Sequence, residues 1–99
     1  MEIRHIIWLE SILDKIQSKH QVSLEEVEWV LEHRPHVRFC KKGHVKSEDV
    51  YSALGRTSAG RYLIVFFILK QGNKVLPISA RQMTSKEKRL YGRQKKRKS

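Results

Sequence analysis

Leu9, Ile12, Leu13 and Ile16 recur at the spacing of one helix face, which predicts an amphipathic helix over Glu10–Lys19 behind a short strand at Ile3–Trp8. Ser23-Leu-Glu-Glu26 fits a capping box: the serine accepts from the third helical amide and the glutamate reaches back to the serine amide. Leu24, Val27, Val30 and Leu31 then form the apolar face of a second helix, which has to stop before Arg34-Pro35 because a residue preceding proline is pushed out of the α region. From His36 the period falls to two. Val37 and Phe39, then Tyr51, Ala53 and Gly55, alternate with polar neighbours, and Tyr62–Leu69 is a continuous apolar run suited to a central strand. Turn signals at Ser58-Ala-Gly60 and Gln71-Gly-Asn73 set Val50–Thr57, Arg61–Lys70 and Lys74–Ala80 as an antiparallel meander. Pro77 cannot donate to a ladder and belongs at an edge or a bulge. Thr84-Ser-Lys-Glu87 is a second capping box, opening a helix that should reach about Gln94 before Lys95–Lys98 fray.

These elements predict an α+β domain over 1–93: an N-terminal strand and two helices on a curved antiparallel sheet of about four strands, then a basic helix and a disordered tail at 94–99. A chain of 99 residues supports one core, and 39% hydrophobic residues with only 2 Pro and 5 Gly exclude a disordered or low-complexity protein. The formal charge of +11 points to a polyanionic partner, nucleic acid or acidic protein. Most of it lies late: residues 1–33 carry 3 basic and 7 acidic groups, residues 34–80 carry 9 and 2, and residues 81–99 carry 9 and 1. Cys40 is the one cysteine and cannot form an internal disulfide; Arg4, His5 and Glu10 interrupt the first apolar stretch, so neither signal peptide nor membrane helix is expected, and the expected compartment is the cytoplasm.

His33, His36, Cys40 and His44 place four zinc-type ligands within twelve residues, but their spacings across a helix end, a proline and a strand do not form paired knuckles, so no metal or other cofactor is expected. There is no H-E-x-x-H, no G-x-x-x-x-G-K and no G-x-S-x-G. Three arginines remain at strand ends: Arg56, Arg61 and Arg81. In an antiparallel meander Arg61 and Arg81 can share one mouth of the sheet, with Arg89 and Tyr91 above it. Guanidiniums around a cleft suit phosphodiester cleavage, binding the phosphate bidentately and offsetting transition-state charge. The plainer reading of any single arginine is solubility and carboxylate pairing.

Lys19-His20-x-Val22-Ser23-x-Glu25-Glu26, Ala53-x-Gly55-Arg56-Thr-Ser-x-Gly60-Arg61 and Pro77-Ile-Ser-Ala-Arg81-x-Met83-Thr84 with Glu87-x-x-x-Tyr91 resemble the BrnT toxins of type II toxin-antitoxin systems over about residues 5–93. The resemblance implies a small RelE-like fold that cleaves RNA until an antitoxin covers it. The chain departs from the family pattern at Leu9, at Gln82 and at Gln21, where glycine is usual.

The reading that follows is a metal-independent endoribonuclease toxin. Its catalytic candidates are Arg56, Arg61 and Arg81 on phosphate, Tyr91 at the rim, and His20, Glu48 or Asp49 for proton transfer. Lys19, Lys86, Lys88, Arg89 and Arg93 are the expected RNA-binding cations. The expected partners are RNA and a BrnA-like antitoxin able to bind operator DNA, with no membrane. The alternative is a non-catalytic nucleic-acid-binding or adaptor domain that uses the C-terminal helix.

Overall fold

The computed structural model describes residues 3, 5–43 and 48–97, with backbone alone for 95–97. The chain runs β1 (His5–Ile6), α1 (Glu10–His20), α2 (Leu24–Glu32), β2 (His36–Lys41), β3 (Val50–Arg56), β4 (Tyr62–Lys70), β5 (Lys74–Gln82) and α3 (Ser85–Arg97). The strands form one sheet in the order β1-β5-β4-β3-β2. The sheet is mixed and has five strands, where an antiparallel sheet of about four was expected. β2 to β5 are antiparallel, but β1 joins the same sheet as a fifth, parallel strand, with His5 opposite Lys74 and Ile6 opposite Val75. Among the described residues of the expected Ile3–Trp8 strand, His5 and Ile6 form the strand and the Ile7 amide adds a bond to the Val75 carbonyl at 2.8 Å before the chain leaves the edge to enter α1.

The Ser23–Glu26 capping box is formed, the serine hydroxyl accepting from the Glu26 amide at 3.2 Å and Glu26 accepting from the Ser23 amide at 3.0 Å. α2 ends at Glu32, and Arg34 turns the chain with φ 49 ahead of Pro35. In the β4–β5 ladder Phe66 faces Ser79 while Phe67 faces Pro77, so β5 carries one extra residue and the proline sits at a bulge. At its C-terminus α3 extends to Arg97, three residues past the expected Gln94.

Strand alternation sorts the side chains onto two faces. Ala53, Leu63, Val65, Phe67, Val75 and Ala80 meet Ile16, Val22, Val27, Val30 and Leu31 of the α1–α2 layer in the main core. Gly55 is what lets α2 approach: a Cβ there would stand 2.9 Å from Cγ1 of Val30. On the opposite face Leu54 and Ile64 pack with Met83 and Tyr91, so α3 covers one end of that face, with Tyr62 and Phe66 alongside.

Candidate nucleic-acid groove

Arg56 closes β3 opposite Tyr62 at the start of β4, both on the face that carries α3. Its guanidinium lies 5.1 Å from the centre of the Tyr62 ring, and the ammonium of Lys88 on α3 lies 5.5 Å from the same centre. Tyr91 meets Tyr62 edge-on at 6.1 Å. With Gly92, these four side chains line a groove of about 380 Å³. Among the described residues the ion pairs are made elsewhere, and both groove cations face an aromatic ring.

The helical period explains why Lys88 stands apart from its neighbours. At 100° per residue Lys88, Tyr91 and Gly92 share the side of α3 turned to the sheet, whereas Lys86, Arg89 and Arg93 form an exposed stripe on the other side. The expected RNA-binding set is therefore split by geometry.

Arg81 also points to the α3 face, being opposite Ile64, and its guanidinium lies 5.5 Å from the centre of the Phe66 ring. It is tied to Glu87 by two parallel hydrogen bonds, Nη1 to Oε1 at 2.8 Å and Nη2 to Oε2 at 3.0 Å, and Nη1 also donates to the Gln82 carbonyl at 3.0 Å. Glu87 accepts in addition from the Thr84 amide at 2.8 Å, completing the second capping box. The bond to Arg81 is the main cause that holds the Glu87 carboxyl below the usual carboxylate range, and the same bond raises the Arg81 guanidinium.

The mouth expected for Arg61 and Arg81 does not form. Arg61 falls on the parity of Leu63 and Val65, the α1–α2 face, where its Nη1 donates to both Glu26 carboxylate oxygens at 2.8 Å and to the Gln21 carbonyl at 3.0 Å. Lys19 is exposed and His20 half-buried in the last turn of α1, beside this clamp and on the far side of the sheet from Lys88. Glu48 is bound to Lys70 at 3.0 Å, and the Asp49 carboxylate accepts from the Gly43 amide at 3.1 Å. Both precede β3, about 20 Å of strand away from Arg56. The antiparallel pattern alone does not give this division, because it orders strand ends without fixing which face each side chain takes. Tyr62, absent from the sequence-based set, carried a signal in its place directly after Arg61 at the start of the apolar run.

Among the described residues no three His, Cys, Asp or Glu side chains gather as a metal site, Cys40 is exposed, and His44 lies outside the described residues. No described helix is long and apolar enough to cross a membrane.

A family model described as "Ribonuclease toxin, BrnT, of type II toxin-antitoxin system" matches residues 8–87. The chain belongs to the BrnT family. It is thus a ribonuclease toxin, with RNA as its substrate and an antitoxin as its partner. A comparison with curated proteins gave no significant match. In this BrnT chain the matched span includes Arg56, Tyr62, Arg81 and Glu87 and stops one residue short of Lys88.

Proposed function

We propose that the groove between β3, β4 and α3 is where this toxin cuts RNA, as a metal-independent endoribonuclease on a RelE-like plan. The observation that carries this reading is the approach of two cations, Arg56 and Lys88, to one tyrosine ring. Two like charges drawn together repel each other, and a bound phosphate relieves that repulsion. The RNA's own 2′-hydroxyl is the nucleophile: its proton passes to solvent water as the 2′-oxygen bonds to phosphorus, and the bond from phosphorus to the 5′-oxygen breaks. Arg56 takes two phosphate oxygens in its fork and stabilises the charge that grows on them, and Lys88 protonates the departing 5′-oxygen. Tyr62 presents aromatic surface to the flanking sugar and base, and Tyr91, buried against Leu54 and Ile64, supports it edge-on. Arg81, whose charge is shared with Glu87, holds an adjacent phosphate through its remaining N–H groups. Arg61, His20 and Glu48 are given no chemical part.

The antitoxin is BrnA-like, acts in the cytoplasm, and covers the groove and the Lys86–Arg89–Arg93 stripe; operator DNA is reached through the antitoxin. The test is cleavage of an RNA oligonucleotide by Arg56→Ala and Lys88→Ala. Each should slow cleavage about 10²- to 10³-fold, the usual effect of losing one donor at a developing charge. Melting temperatures should stay unchanged, because neither side chain is buried. Wild-type rates in both variants would remove the groove from the chemistry.

A further inference from the structure

Arg56 lines a second groove as well, of about 430 Å³, whose other walls are Trp29 and the turn from Thr57 to Gly60. The turn is closed by the Gly60 amide donating to the Thr57 carbonyl at 2.9 Å. Gly60 has φ 92, and a Cβ on it would stand 3.3 Å from Nη2 of Arg56, so the glycine keeps the passage beside the guanidinium open. Across the groove, Trp29 is 36% exposed, one of three large hydrophobic residues left so among the described residues. Its indole does not float. His33, one helical turn on, stacks on it with ring centres 3.6 Å apart and 10° between planes, and His33 Nδ1 is 2.8 Å from the Trp29 carbonyl. Val30, the next residue, is wedged against Gly55, which fixes this end of α2 on β3.

An indole stacked by His33, partly exposed and lining the same groove as a guanidinium without a carboxylate partner among the described residues has the make-up of a single-stranded nucleic-acid platform: a cation for the backbone and a π surface for the base. We infer that Trp29 is the stacking platform for one unpaired base of the RNA, on the far side of Arg56 from the Tyr62–Tyr91 groove, so that the strand passes over Arg56 from one groove to the other. The inference rests on the proposed cleavage groove and adds to it a flanking-base subsite. The platform is assembled before RNA arrives, so little ordering opposes binding. Stacking tolerates every base, and the subsite therefore demands an unstacked nucleotide rather than a particular letter.

The test uses an RNA oligonucleotide with 2′-O-methyl groups throughout, which lacks the nucleophile and reports binding alone. In a Trp8→Phe background Trp29 is the only tryptophan, and its emission should be quenched as the oligonucleotide binds. Trp29→Ala should raise Kd about 5- to 140-fold, the range implied by one lost base stack. Trp29→Phe should restore most of the affinity. The quenching measurement keeps Trp29 in place, so it decides the matter even if Trp29→Ala folds poorly. If the oligonucleotide binds, and binding is lost in Arg56→Ala and Lys88→Ala, but Trp29 emission does not change and Trp29→Ala binds as tightly as the wild type, the platform is wrong while the cleavage groove stands. If the oligonucleotide does not bind at all, the groove reading fails and takes the platform with it. Emission that responds only to the antitoxin would make this patch a protein-docking surface and overturn the inference.

Discussion

Replacing Arg61 with alanine should cost stability and spare the chemistry. Its Nη1 gives hydrogen bonds to both Glu26 oxygens and to the Gln21 carbonyl, joining the start of β4 to the α1–α2 turn. The paired side chains are 30% and 22% exposed, intermediate between a surface pair and a buried one. Hydrogen bonds to charged groups contribute about 1.5–3 kcal/mol and exposed ion pairs about 0.2–1 kcal/mol, so discounting for solvent gives about 1–2 kcal/mol for this clamp. In a domain of this size that lowers Tm by roughly 4–16 °C. The assay is thermal unfolding followed by circular dichroism, with Glu26→Gln as the second arm of a double-mutant cycle. Glutamine preserves the capping-box reach to Ser23. In the Glu26→Gln background the further loss from Arg61→Ala should shrink to less than half. Cleavage at a temperature where both proteins are folded should remain near wild type. An Arg61→Ala protein that melts with the wild type yet fails to cleave would refute this reasoning and return Arg61 to the phosphate.

Gln21 ends α1 with φ 57 and donates its amide to the Gln17 carbonyl, a left-handed cap that costs a side-chain-bearing residue energy. Gln21→Gly should stabilise by about 0.5–1 kcal/mol and raise Tm by roughly 2–8 °C, net of the added unfolded-state entropy, and a lower Tm contradicts the cap assignment. Glu87 has its folded-state pKa held down by Arg81, so its contribution to stability is present above the unfolded value near ~4.3 and is lost as pH falls through the folded value. Acid melts should therefore show a shallower decline for Glu87→Gln below pH about 4.3, and parallel curves contradict the pairing. Antitoxin association should slow strongly between about 50 and 500 mM salt while dissociation changes little, and charge reversal at Lys86 and Arg89 should act on the same on-rate; biolayer kinetics that place the whole effect in the off-rate contradict an electrostatic role for the outer stripe.

The sequence already contained both capping boxes, the meander and the restriction of Pro77 to an edge or a bulge, because each rests on chemistry local to a few residues; the ladder register decides for the bulge. What it could not supply was the destination of side chains at strand ends. Arg61 and Tyr62 are neighbours, and a period of two sends them to opposite faces, one to Glu26 and the other to Lys88. Glu48 lies in a favourable sequence position before β3, but that is the end of the strand away from Arg56. The parallel pairing of β1 was equally hidden, since two residues carry too short a pattern to show their partner. Lys88 was recognised as a cation of the basic helix, and only the docking of Tyr91 against Leu54 and Ile64 singles it out from Lys86 and Arg89.

The central claim is that this groove cuts RNA through the substrate's own 2′-hydroxyl. Incubating the purified toxin with an RNA of defined sequence in excess EDTA, and analysing the product ends by mass spectrometry, tests it most directly. Cleavage should leave a 2′,3′-cyclic phosphate on the upstream fragment and a 5′-hydroxyl on the downstream one, and a single 2′-deoxy substitution at the scissile nucleotide should abolish it. Cleavage that stops in EDTA and returns with a divalent metal, or that leaves a 5′-phosphate, would contradict it.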